Sequence, residues 1–241
     1  MKHALILGAS GDIGKATAKQ LAASGWSLYL HYYHNQTAIQ KMIKEFSQKY
    51  PKQDFLGVHL DMRDTTSLSQ LYTSIFELDA LIFAQGTTNY QLLTDTSSED
   101  LQNLWMMQVG VPIEMIKKFQ AKLAQSKNGR IIFVGSVYGA VGSAMEVGYS
   151  TIKGAQTAFA NAYAKEVGSL GITVNVVAPG AVNTQMNRVF SDTEHEQVSE
   201  NIPLGRFATP DEIAYWLVQL TQKQAGYLTG QTIYVDGGWL K

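Results

Sequence analysis

Short apolar runs alternate with helix-like patterns from one end of the chain to the other, and that alternation leaves few folds open. The runs are Ala4–Leu7, Ser27–Tyr32, Phe55–His59, Ala80–Ala84, Arg130–Val134, Thr173–Val177 and Thr232–Val235. Between them, helical patterns fall near residues 13–24, 36–49, 66–76, 97–125, 150–168 and 210–222. Strand and helix in regular turn predict a parallel sheet covered on both faces. The runs are almost continuously apolar, as strands buried on both sides require. The expected fold is therefore α/β, a Rossmann-type doubly wound, seven-stranded parallel sheet with helices on both faces. No linker, repeat or low-complexity stretch divides residues 1–241, so one domain is expected. Residues 184–204 are polar, interrupt the alternation and read as a candidate substrate lid.

Composition narrows the chemistry. The net charge is −1 and the basic residues are scattered, which gives no footprint for nucleic acid. There are no cysteines, so disulfides and thiol nucleophiles are excluded and a cytoplasmic address is expected. The apolar run at Ala4–Leu7 is too short for a signal peptide. No run approaches the roughly 20 apolar residues of a membrane span. The five histidines have no metal-ligand spacing, and no metal centre is expected.

The first strand leads into "LGASGDIG" at residues 7–14, and a helical pattern follows. Strand, glycine-rich turn and helix together make a dinucleotide site. Glycines let the backbone approach the phosphates, and the helix start presents N–H donors. Gly8, Ser10, Gly11, Asp12, Ile13 and Gly14 are the candidate residues here. Asp12 falls at the first helical turn, where an acid suits the helix dipole and can cap N–H groups. Its carboxylate is expected to turn from the pyrophosphate. The second strand ends in "LYLHYYHN" with no acid to bind a ribose 2′-hydroxyl, which favours NADP(H) over NAD. His31, His34 and Lys41 are possible phosphate partners there; ordinary aromatic packing is the other reading.

"YSTIK" sets Tyr149 and Lys153 four residues apart, on one helix face. A lysine cation beside a tyrosine favours the phenolate and would lower its pKa. Such a tyrosine can work as a general acid. Ser136 ends "RIIFVGS", where a hydroxyl can face the cleft above the strand ends.

On these motifs the chain resembles the short-chain dehydrogenase/reductase family, and within it the 3-oxoacyl-acyl carrier protein reductases. "LDMRD" at 60–64, "VNVVAPGAVNTQM" at 174–186, "PLGRFATPDEIA" and "YLTGQTIYVDGGW" carry the likeness further. The resemblance implies that Tyr149 protonates a ketone oxygen while a nicotinamide delivers hydride. It implies that Ser136 steadies the oxyanion, and that Lys153 binds the nicotinamide ribose and depresses the Tyr149 pKa. Asp61 and Met62 correspond to adenine contacts, and Pro179, Gly180, Val182 and Thr184 to the segment that orients the nicotinamide. It further implies a homodimer or homotetramer, built on the helices near 97–125 and 150–168 and on "YVDGGWL".

The chain departs from the family in three places. The loop has glycine at 8, 11 and 14, and Asp12 stands where the family has glycine. Ala84-Gln85-Gly86 replaces an Asn-Ala-Gly segment. Gln108 replaces an asparagine that supports a water-linked proton path to the lysine. Gln108 could act through its main-chain carbonyl, through its side chain, or only as a helix residue. "LYLHYYHN", "GAQTAF" and "EVGYSTIKGAQ" resemble a bacterial subgroup that reduces the 5-aminopentanone group on a lysine of elongation factor P. The expected partner is thus a ketone carried on acyl carrier protein or elongation factor P. An inactive nucleotide-binding sensor and an NAD-dependent alcohol dehydrogenase are the remaining readings.

Overall fold

The computed structural model describes residues 1–66, 68–189 and 192–239. Position 67 of the 66–76 helical pattern, positions 190–191 of the expected lid and position 240 of "YVDGGWL" lie outside them. Seven parallel strands form one sheet in the order β3-β2-β1-β4-β5-β6-β7. The strands are β1 (Lys2–Leu7), β2 (Trp26–Tyr32), β3 (Phe55–His59), β4 (Ala80–Phe83), β5 (Arg130–Val134), β6 (Thr173–Pro179) and β7 (Thr232–Val235). The helices are α1 (Asp12–Ala23), α2 (Gln36–Lys49), α3 (Leu68–Ser74), α4 (Ser98–Trp105), α5 (Val111–Gln125), α6 (Tyr138–Val141), α7 (Val147–Val167), α8 (Asp192–Glu200) and α9 (Pro210–Thr221).

Each central strand divides its side chains between two cores, as the period of two demands. On β1, Leu5 and Leu7 join Phe83, Phe119 and Phe133 in one core. Ala4 and Ile6 join Leu21, Leu30 and Leu217 in the other. Continuous apolar runs are what a sheet sandwiched between two helix layers needs. Strand order reverses between β1 and β4, and the loops that leave these two strands diverge there. That switch point is where open α/β sheets bind ligands.

The pattern over residues 97–125 predicts one helical stretch. The structure breaks it with a π-helical turn, Met106–Gly110, between α4 and α5. The expected lid, 184–204, contains a short 3-10 turn, Gln185–Val189, and α8. No helix among the described residues is long and apolar enough to cross a membrane, and no cluster there could hold a metal ion.

Candidate active site

The glycine loop is held by contact between backbones. Gly8 has φ +75, and a Cβ there would lie 2.6 Å from the Gln85 nitrogen. A Cβ on Gly14 would lie 2.1 Å from the Gly8 carbonyl oxygen. Gly11 differs: its φ is −80, and a Cβ would sit 3.4 Å from the nearest atom. Only Gly8 and Gly14 are required by space. Helices α2, α4 and α9 are capped by the side chains of Asn35, Ser97 and Thr209. The Gly11 cap of α1 offers no side-chain acceptor. The first amides of α1 have no intrahelical partner and stay available to an anion.

Asp12 does not cap its own helix. Its carboxylate instead accepts a hydrogen bond from the Gln185 main-chain N–H at 2.8 Å. Ser10 and Ile13 are half-buried beside it.

His31 lies inside the protein, 3% exposed, and so corrects its reading as a phosphate partner. Its Nδ1 accepts the Gly8 N–H at 2.9 Å, and its Nε2 lies 2.9 Å from the Leu60 carbonyl. That pattern requires the neutral tautomer with the proton on Nε2. Burial lowers its pKa from 6.5 to about 4. His31 braces the glycine loop from behind. His34 and Lys41 are exposed. Met62 is also corrected: it is buried, with its side chain in the core.

Asp61 is gripped by Arg63. Its Oδ1 accepts from the Arg63 N–H and Nε at 2.9 and 3.0 Å, and its Oδ2 from Nη2 at 2.8 Å. The guanidinium holds this carboxyl down at about 2. Arg63 Nη2 also donates to the Tyr33 hydroxyl at 2.5 Å, and the guanidinium lies 5.1 Å from the Tyr33 ring centroid. Arg63 is thus a cation beside the end of β2, which the sequence reading missed. Its place within "LDMRD", two residues after Asp61, was the available signal.

Ser136, Tyr149 and Lys153 come together above the end of β5. Gly135 and Gly139 make this possible. A Cβ on Gly135 would meet Val176 Cγ1 at 2.5 Å, and one on Gly139 would meet the Lys153 backbone at 2.8 Å. The segment after β5 therefore lies directly against α7. The Ser136 side chain stands near enough to Tyr149 to favour its ionised form. Lys153 Nζ lies 5.3 Å from the Tyr149 ring centroid and donates to the Val134 carbonyl at 2.9 Å.

The expected depression of the Tyr149 pKa is not found. Burial pushes the phenol up to about 12, with Glu146 and Tyr138 adding to the rise and Ser136 opposing it. Lys153 sits over the ring, its N–H groups directed at other acceptors. Burial lowers Lys153 itself from 10.5 to about 7. The buried phenol therefore stays protonated at neutral pH and is a weaker acid than a free tyrosine.

Comparison with known proteins agrees with this geometry. A family model described as enoyl-(acyl carrier protein) reductase matches residues 8–240. The oxidoreductase YmfI of Bacillus subtilis (strain 168) is 38% identical over 99% of this chain and 98% of its own. The 3-oxoacyl-[acyl-carrier-protein] reductase FabG of Escherichia coli (strain K12) is 32% identical over 98% of this chain and 96% of its own. The crystal structure of YwfH, an NADPH-dependent reductase involved in bacilysin biosynthesis, superposes with a TM-score of 0.94 at 25% identity. It covers 100% of this chain and 98% of its own. The chain belongs to the short-chain dehydrogenase/reductase family. It is an oxidoreductase of that family, similar to the 3-oxoacyl-acyl carrier protein reductases.

Within this family site two of the three departures, Gln85 and Gln108, meet at the π-turn. Gln108 is fully buried in the π-turn, and its Nε2 donates to the Thr87 carbonyl at 3.0 Å. Its main-chain carbonyl accepts from Gln156 Nε2 at 2.8 Å. Gln85 Nε2 donates to the Met107 carbonyl at 3.1 Å. Gly86 is the contact point: a Cβ there would lie 3.0 Å from Gln108 Oε1 and 3.8 Å from Lys153 Nζ. Sequence reasoning missed Gln156. Its spacing of three from Lys153 on one helix was the signal.

At the end of β6, the Pro179 carbonyl accepts a hydrogen bond from the Val137 N–H at 3.0 Å, tying this segment to Ser136. Gly180 lies against Asp236, where a Cβ would meet backbone at 2.9 Å. Val182 points its side chain into the core, so only its main chain can face a ligand. Thr184 stands next to Gln185 at the start of the expected lid.

Proposed function

We propose that this chain uses NADPH to reduce a ketone to a secondary alcohol. The observation that carries this reading is the convergence of Ser136, Tyr149 and Lys153 at the strand ends, beside the glycine loop. The cradle fits a dinucleotide: Gly8 and Gly14 leave no room for a Cβ, and α1 keeps its first amides available. When bound, the nicotinamide supplies a hydride for the carbonyl carbon. Tyr149 O–H then gives its proton to the carbonyl oxygen. Ser136 O–H stabilises charge on that oxygen as it develops. Lys153 holds its ammonium beside the phenol and is the group to bind the ribose. Ser10, Asp12, Ile13 and Gly14 would hold the pyrophosphate through main-chain donors, while Gly8 and Gly11, whose N–H groups are already bonded to His31 and to the Gly8 carbonyl, shape the loop that lets the backbone approach. Asp61, Gln85, Gly86, Pro179, Gly180, Val182 and Thr184 complete the cofactor contact.

The choice of NADPH is supported by the absence of an acid at the end of β2 and by Arg63 at Tyr33. A planar guanidinium suits a 2′-phosphate. The structural relatives include YwfH and a blue fluorescent protein in complex with NADPH, the latter at TM-score 0.92 and 26% identity.

We further propose that the ketone is carried on a protein, with residues 184–204 as its lid. The likeness to FabG supports acyl carrier protein as carrier. The "EVGYSTIKGAQ" run supports the 5-aminopentanone group on elongation factor P. Exposed Tyr90, Leu92 and Leu93 after β4, and Val141 and Val147 around α6 and α7, supply an apolar rim for such a carrier. Exposed Leu204, Tyr215, Trp216 and Tyr234 suit assembly as a cytoplasmic homodimer or homotetramer. Purified protein should oxidise NADPH with a 3-oxoacyl thioester if acyl carrier protein is the carrier. If elongation factor P is the carrier, deleting the gene should leave that protein lighter by two hydrogen atoms. An unchanged intact mass rejects the second form, and failure of both assays rejects the reading.

A further inference from the structure

The π-turn at Met106–Gly110 is surrounded by buried side-chain amides. Such a turn closes a wider ring than an α-helix and leaves main-chain groups without their usual partners. Met107 and Gln108 present carbonyls that accept from Gln85 and Gln156. Gln156 does more than satisfy a carbonyl. Its Oε1 accepts from Lys153 Nζ at 3.3 Å while its Nε2 donates to Gln108. Gln156, Lys153 and Gln108 are 2%, 3% and 0% exposed.

We propose that Gln156 is a positioning residue for the reduction, one whose amide bridges the Lys153 ammonium to the Gln108 carbonyl and aims the remaining N–H at the reacting groups. The inference rests on the ketone-reductase reading. An ammonium has three N–H donors. Val134 and Gln156 take two, and the third remains for the Tyr149 side of the cleft. The Gln108 carbonyl polarises the Gln156 amide and makes its oxygen a better acceptor. The other groups facing Lys153 are Tyr149 on its own helix, the Val134 carbonyl on β5, Gly86 after β4 and Gln108 in the π-turn. Glu146 acts on Tyr149. Among the described residues no carboxylate pairs with Lys153. Beside the Tyr149 ring, Gln156 is thus the hydrogen-bonding side chain that favours its charged form against burial.

Gln156→Leu and Gln156→Glu in the full chain test this. The Lys153 resonance of 13C-lysine-labelled protein, assigned with Lys153→Met, gives its titration midpoint without any substrate. The midpoint should fall by about one pH unit with leucine, which removes the acceptor. It should rise by about one pH unit with glutamate, which adds an opposite charge. The basic limb of kcat for NADPH-dependent ketone reduction should move with it. Midpoints that stay put or move in the same direction overturn the proposal, as does a limb that ignores a moved midpoint. The glutamate variant is close to isosteric and serves alone if leucine prevents folding. If the ketone-reductase reading is wrong, even the unmodified protein fails to turn over, while the titration still reports the Gln156–Lys153 contact.

Discussion

The Asp12 carboxylate and the Gln185 N–H are joined at 2.8 Å across 173 positions of sequence. One end is the first residue of α1; the other begins the turn that follows Thr184. The bond fastens the glycine loop to the expected lid. Asp12→Ala should leave global stability within about 1 kcal/mol, since the bond lies at the surface. Hydrogen exchange at the Gln185 amide should accelerate clearly. Unchanged exchange in a peptide spanning residues 182–189 would show that the lid is held by other contacts.

His31 makes stability depend on pH in a definite direction. The unfolded chain protonates this ring near 6.5, whereas the folded protein resists until about 4. Between those values the unfolded state binds more protons, so stability rises with pH. Acidification from pH 7 to 4 should remove about 3 kcal/mol through this group. His31→Gln keeps a donor and an acceptor but does not titrate. Its urea midpoints between pH 4 and 7 should therefore show a shallower acid slope than the unmodified protein.

Tyr149→Phe should lower kcat for ketone reduction by about 100-fold or more, the usual worth of a general acid. NADPH binding, read by the fluorescence of the bound dihydronicotinamide, should persist. Retained turnover would remove Tyr149 from the acid role. Lost turnover with retained binding also disposes of a sensor without chemistry.

Arg63→Ala separates the two cofactors. KM for NADPH should rise about tenfold, the loss of one good charge-assisted contact. KM for NADH should change little. An equal rise for both would mean that Arg63 serves the site only by holding Asp61.

Much of the fold could be read in sequence because each strand carries its own signal. "ALIL" and "IIFV" are apolar throughout, and the sheet buries them on both faces. Tyr149 and Lys153 were equally legible, because four residues on a helix fix a shared face. The errors came where partners are distant. Nothing in "LYLHYYHN" shows that His31 turns inward, since its partners lie at Gly8 and Leu60. The π-turn has no pattern of its own, being supported by amides from Gln85 and Gln156. The reversed shift of Tyr149 has the same origin. Spacing set the lysine near the ring, but burial and the acceptors at Val134 and Gln156 decide what its charge does.

The clasp between Gly8 and Gly14 has an evolutionary consequence. Those two positions are fixed by contact, while the two residues at 11 and 12 are not. Glycine can therefore drift between them over time without breaking the nucleotide cradle. Once position 12 is released, selection can place a side chain there for another purpose. Here it is an aspartate tied to residue 185, and the cradle keeps both of its backbone contacts with glycine at 11 rather than 12.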